Sequence, residues 1–122
     1  MPTTKSNLAI LSASNLNGGA GAITFSPWLD MRDEYGAILY VTITNPASDA
    51  SQGAIVEMEL SPDQVSGNEF PFGCREVADK AASVVSKFTF RAPLEARFAR
   101  MKFTHTDQVS VADVIGTRVD QV

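Results

Sequence analysis

Any chemistry in this 122-residue chain would have to be built from few reactive side chains, because it has one histidine, His105, and one cysteine, Cys74. Nucleophilic catalysis needs a nucleophile, a base and a group that orients the base, all within hydrogen-bond reach. His105 lies in "FTHTDQ", with only unmarked serines and aspartates to complete such a set, and reads as a solvated residue at a turn. Cys74, in "PFGCRE", has Arg75 as its one cationic neighbour and reads as an incidental or structural thiol. Asp30, Asp33 and Glu34 in "LDMRDE" bring three carboxylates together, as acid–base catalysis or a calcium site would require. Around an arginine, such a cluster is more simply a set of turn and cap residues. A zinc site lacks the cysteines and histidines it needs, and "NGGAGAIT" lacks the lysine and the spacing of a phosphate-binding loop. No catalytic, cofactor-binding or metal-ligating residue is therefore assigned, and the chain is expected not to be an enzyme.

The remaining candidate is "RFARMKF", residues 97 to 103, which interleaves cations with aromatics as strands that grip single-stranded nucleic acid do. Along a strand, however, Arg97, Ala99, Met101 and Phe103 share one face while Phe98, Arg100 and Lys102 take the other. The cations are split between faces, and the protein carries a net charge of -4, so nucleic acid is not the expected partner. Trp28, following Pro27, offers a ring for stacking on a sugar, or for packing at a sheet edge or against a neighbouring subunit. Trp28, Arg97, Phe98, Arg100 and Lys102 together form the candidate interaction surface.

The elements that must position these residues are strands. Glycine and proline punctuate the chain often, and between them the apolar residues recur at period two. In "GAILYVTITN", residues 36 to 45, Ala37, Leu39, Val41 and Ile43 alternate with Ile38, Tyr40, Thr42 and Thr44, and the strand ends at Asn45-Pro46. "PASDASQG" then reads as an exposed loop. "AIVEMELS", residues 54 to 61, turns Ala54, Val56, Met58 and Leu60 to a core and leaves Glu57 and Glu59 in water. After a turn at "SPDQVSGN", Phe70 and Phe72 are two apart and point the same way. "SVVSKFTF", residues 83 to 90, sets Val84, Ser86, Phe88 and Phe90 against Val85 and Lys87; "EVADKAA" before it fits a strand end or a short helical turn. Residues 96 to 116 read as a hairpin turning at "HTDQ", and "NLAILSAS" and "AITFSPWL" supply one or two strands around a glycine-rich bend. The sum is an all-β fold: an antiparallel sandwich of seven to eight strands, jelly-roll or immunoglobulin-like.

At this length one domain over residues 1 to 122 is expected, with residues 1 to 12 as an extended N-terminal arm. A lone cysteine excludes an intrachain disulfide and suits synthesis in a reducing cytoplasm. The apolar run Leu8 to Leu11 is too short for a secretory signal, and no stretch is long enough for a membrane-spanning helix, so no membrane partner is expected. Residues 75 to 102 hold seven cations against three acids, giving +4, which leaves -8 for the rest of the chain. Such polarity steers like subunits or an oppositely charged surface into contact, and a homo-oligomer is expected.

"DMRDEYGAILYVTITNPAS", "GAIVEMELSPD" and "LEARFARMKFTHTDQVSVADVIG", spanning residues 30 to 116, resemble the small β-sandwich virion proteins of tailed bacteriophages. The shared grammar is a Gly-led strand ending in "ITN", a polar loop, a strand ending in Ser-x-Asp, and a late "ARFARMKF" strand followed by a valine-rich one. Where that pattern often has a glycine and a tryptophan after "SPD", this chain has "QVSGNEFPF". The resemblance implies a virion structural protein, made in the host cytoplasm, that decorates and stabilises a capsid by binding the major capsid protein or another virion protein. A neck or tail structural protein and a carbohydrate-binding module that recognises glycans are the alternatives. It implies no cofactor and transfers no catalytic residue.

Overall fold

The computed structural model describes residues 4–16, 23–32, 34–45, 54–77, 83–93, 95–105 and 110–120. They form nine strand segments: β1 (Thr4–Leu16), β2 (Ile23–Phe25), β3 (Leu29–Asp30), β4 (Glu34–Thr44), β5 (Ala54–Ser61), β6 (Phe70–Glu76), β7 (Val85–Ala92), β8 (Phe98–His105) and β9 (Ser110–Asp120). Every pairing is antiparallel. One sheet runs β1-β9-β4-β7 and the other β2-β8-β5-β6, with β3 also on β8. β2 pairs with residues 102–104 of β8 and β3 with Phe98 and Ala99. Since β5 occupies the other edge of β8, β2 and β3 are two pieces of one interrupted edge strand. The sandwich thus has four strand positions in each sheet.

The connectivity decides between the two architectures the alternation left open. β5 pairs β6, β4 pairs β7, β2 and β3 pair β8, and β1 pairs β9. The chain is a long antiparallel ribbon folded back at residues 62–69 and wrapped so that its successive pairs fall in alternate sheets. That is the jelly-roll arrangement. An immunoglobulin sandwich begins with two strands in one sheet, whereas β1 and β2 lie in different sheets.

The core confirms the two-residue period. Leu39, Val41 and Ile43 from β4, Val56 and Met58 from β5, and Ala99, Met101 and Phe103 from β8 are all essentially inaccessible to solvent, and Phe90 and Ala92 of β7 join them. Two slips in register fall at glycines with positive φ, where residues with a Cβ are strained. Gly36 (φ 99°) lies between Glu34 and Ala37 of β4. Gly73 (φ 96°) lies in β6 opposite the Glu57–Glu59 stretch of β5.

Two expectations change. The hairpin over residues 96 to 116 does not form: β8 and β9 belong to different sheets, and neither pairs with the other. Period-two alternation reports that a segment is a strand, while the partner is chosen by long-range register, here β5 for β8 and β4 for β9. The arm expected over residues 1 to 12 is, from Thr4 onward, a strand of the sandwich, zipped to β9 from Thr4↔Asp120 to Leu16↔Ser110. Of "EVADKAA", Glu76 ends β6 and Val77 is fully buried, while residues 78–82 lie outside the described residues, as do the "PASDASQG" loop from Pro46 to Gly53 and most of the glycine-rich bend.

Candidate functional site

The outer face of the β2-β8-β5-β6 sheet collects most of the residues singled out from the sequence. β8 supplies its axis: Ala99, Met101 and Phe103 point into the core, so Phe98, Arg100 and Lys102 point outward. Cross-strand pairing then sets rows across the sheet. Ile23, Thr104 and Ile55 form one, Phe25, Lys102, Glu57 and Cys74 the next, Arg100, Glu59 and Pro71 a third, and Asp30, Phe98 and Ser61 the last.

Arg100 is the centre of the third row. Its Nε donates to Glu59 Oε1 at 2.9 Å, and its Nη2 lies 3.6 Å from Glu69 Oε1. The guanidinium carbon sits 3.7 Å from the centroid of the Phe25 ring and 4.3 Å from that of Trp28. Only 14% of the Arg100 side chain and 10% of the Glu59 side chain are exposed, so this is an outward-facing ion pair that has been roofed over. Glu59, expected in water, is buried. A planar guanidinium suits this position because it forks onto carboxylates and stacks on aromatic rings at the same time.

The roof comes from two loops, each held by its own polar groups. At the break between β2 and β3, Pro27 cannot donate to the ladder, and the buried Ser26 carries the pairing instead. Its N–H donates to the Met101 carbonyl (2.9 Å), and its Oγ accepts from the Met101 N–H (2.8 Å) while donating to the Pro27 carbonyl (3.1 Å). This swings Trp28 over Arg100. On the other side, Ser61 Oγ accepts the N–H groups of Asp63 (3.3 Å) and Gln64 (2.9 Å), Asp63 Oδ1 accepts that of Val65 (2.9 Å), and Asn68 Nδ2 donates to Asp63 Oδ2 (2.9 Å). Glu69 Oε2 accepts the Gly67 N–H (2.9 Å), leaving Oε1 for Arg100. The Asp63 carboxyl is held below its ordinary value of 3.8, chiefly by the Val65 N–H.

Of the five residues in the candidate surface, Trp28 and Arg100 are therefore brought into contact. Lys102 is half-buried one row away, level with Phe25 and Glu57. Phe98 is only 7% exposed, with the Arg32 guanidinium 5.1 Å from its ring centroid and Arg32 itself paired to Asp30 at 2.7 Å. Arg97 stands apart: it precedes β8, is exposed, and its carbonyl accepts the Met31 N–H at 2.8 Å. Sequence reasoning missed Ser26, Phe25, Glu59 and Glu69. The alternation of "AITF" places Phe25 on a face with Ile23, whereas matching Glu59 to Arg100 requires the β5–β8 pairing, which long-range register sets. At the far end of the face Ile23 (48%), Phe25 (43%) and Ile55 (40%) are exposed. Among the described residues no cluster of three or more metal-ligating side chains occurs.

No protein-family model matches the chain, and no curated protein matches it. Solved structures do. VP2 of infectious bursal disease virus, in its subviral particle, superposes with a TM-score of 0.62 at 6% identity over 98% of this chain and 33% of that chain. The K1 cleaved adhesin domain of Lys-gingipain from Porphyromonas gingivalis W83 gives 0.60 at 9% identity, over 94% of this chain and 73% of that one. Bacillus endospore appendages, described as disulfide-linked pili, give 0.52 at 12% identity, over 98% and 89%. The chain spans about a third of the length of the viral proteins it matches. At these identities the likeness is one of fold: a β-sandwich shared with a viral capsid protein, which is not a tailed-phage protein, and with an adhesin domain.

Proposed function

We propose that this chain is a non-enzymatic structural protein of a virion, and that it decorates and stabilises the capsid of a tailed phage by binding the major capsid protein. The observation that carries the reading is the jelly roll itself, matched across 98% of the chain to a subunit of an assembled virus particle. A shell is stabilised by many copies of a rigid domain, each contributing weak polar and apolar contacts that add through multivalency. The outer sheet face, with its locked Arg100 cluster beside half-exposed apolar residues, is suited to such contacts. A place in the neck or tail uses the same fold at lower copy number. Quantitative mass spectrometry of purified particles separates the two: hundreds of copies per particle are expected for decoration, a dozen or fewer for neck or tail, and absence from particles overturns the reading.

The likeness to an adhesin domain, together with the half-exposed rings of Phe25 and Trp28, favours a second reading, a carbohydrate-binding module. Glycan-array binding that disappears in Trp28→Ala, with the circular dichroism spectrum unchanged, would establish it. Both rings are already engaged by Arg100, so the expected result is no glycan signal.

A further inference from the structure

We infer that the outer face of the β2-β8-β5-β6 sheet is a self-association surface, and that its occupant is a second copy of this chain related by a two-fold axis parallel to the strands between β5 and β8. This deepens the structural-protein reading and rests on it only for the relevance of many copies.

The argument starts from Lys102 and Glu57. They are cross-strand partners in the middle of the uncovered rows, both half-buried. Arg32 pairs with Asp30, and Arg100 with Glu59 and Glu69, but among the described residues no ion pair joins Lys102 to Glu57. Two opposite charges thus stand side by side on a sheet face, each with its outward side unclaimed. Isologous contacts require a patch to complement itself. A two-fold axis parallel to the strands exchanges β8 with β5 and keeps each residue at its level along the strand. Lys102 of each copy then lies over Glu57 of the other, giving two ion pairs from one pair of residues. Thr104 and Ile55 exchange in the same way, and Phe25 covers the exposed Cys74, a ring-to-sulfur contact of the favourable kind. An axis across the strands at the level of Lys102 would instead set Lys102 on Lys102, at the cost of like-charge repulsion.

The axis sets the roof over Arg100 in one copy against that of the other, so the sheets splay apart there and contact is confined to the open end of the face, about four strands by two pleats, roughly 19 Å by 13 Å. That is well below the ~800 Å² per partner of a stable complex. The free dimer is accordingly weak, with a Kd of about 100 μM to 1 mM, and it gains strength only where copies are concentrated on a larger assembly.

The test separates contacts between copies from contacts within one. Lys102→Glu alone and Glu57→Lys alone place like charges across the axis, and each is expected to weaken association about tenfold or more in sedimentation equilibrium up to about 1 mM. Mixing the two variants restores opposite charges at both positions, so a heterodimer is expected with an affinity near that of the wild type. Wild-type protein that stays monomeric throughout overturns the inference, including the case where a different virion protein occupies the face. So does equal association of the single variants and wild type, or a mixture that fails to associate when both variants show the native circular dichroism spectrum. Copy number in particles is unaffected by any of these results and continues to test the virion reading alone.

Discussion

Two arginines of this molecule make the same kind of contact at neighbouring places on β8, and they differ in almost everything that sets energy. Arg32 pairs with Asp30 at 2.7 Å and lies over Phe98; Arg100 pairs with Glu59 at 2.9 Å and lies over Phe25 and Trp28. By distance alone the Arg32 pair is the better one. Yet its side chains are 53% and 49% exposed, against 14% and 10% at Arg100. Water screens the first pair and competes for its hydrogen bonds, whereas the second has lost that solvent and depends on its partners. Burial, rather than separation, ranks them.

The largest expected consequence is at Arg100. Arg100→Ala leaves the Glu59 carboxylate buried without its partner, and a loss of about 3–5 kcal/mol is expected, read as a fall in the urea midpoint. Replacing both partners, Arg100→Met with Glu59→Met, removes the stranded charge, and is expected to cost less than the single substitution. A double variant as unstable as Arg100→Ala would mean that stacking on the two rings, rather than charge, supplies the energy.

Next comes the loop that places Trp28 on Arg100. Ser26→Ala deletes the hydroxyl that receives the buried Met101 N–H, and unpaired buried donors cost about 1–3 kcal/mol. Amide exchange should show the Met101 proton losing protection while the Val41 proton, in the opposite sheet, keeps it. Equal change at both would make the Ser26 bond incidental to the roof.

Arg32→Ala sharpens the comparison from the other side. Exposed ion pairs contribute about 0.2–1 kcal/mol, and that contribution fades as salt screens it. The difference between wild type and Arg32→Ala should therefore shrink between low salt and about 1 M salt, while the Arg100→Ala difference largely persists. A deficit in Arg32→Ala that ignores salt would assign its worth to contact with the Phe98 ring.

How much of this was legible beforehand follows from which quantities are local. Alternation is local, so the inward set of β4, β5 and β8 could be read from Leu39, Val41, Ile43, Val56, Met58, Met101 and Phe103, every one of them buried. Partner choice is not local. Nothing in "THTDQVSVADVIG" says that the valine-rich segment joins β4 and β1 in the other sheet rather than turning back on β8. The site divides along the same line. Arg100 and Trp28 were visible as chemistry, but Glu59 looked solvent-facing because alternation places it outward, and only the loops at residues 26–28 and 62–69 bury it there. Those loops are built from hydroxyl and carboxylate caps whose donors lie up to 75 residues away, as between Ser26 and Met101.

The smallest effect expected is in the second of those loops, and it is visible only in acid. Asp63 is fully exposed, and its carboxyl is held below 3.8 first by the Val65 N–H, which outweighs the opposing effect of desolvation, then by Asn68, Ser61 and Arg97. A group whose pKa is lowered on folding stabilises the fold above its ordinary value, and that contribution is lost as pH falls through the folded value. Asp63→Asn keeps an oxygen for Val65 but cannot ionise. Its stability deficit should accordingly be present at neutral pH and vanish progressively below about pH 4, the range where the unfolded carboxyl takes up its proton. A deficit unchanged from neutral to acid pH would show that the loop is held by the geometry of its hydrogen bonds alone, and that the negative charge does nothing to keep Glu69 turned toward Arg100.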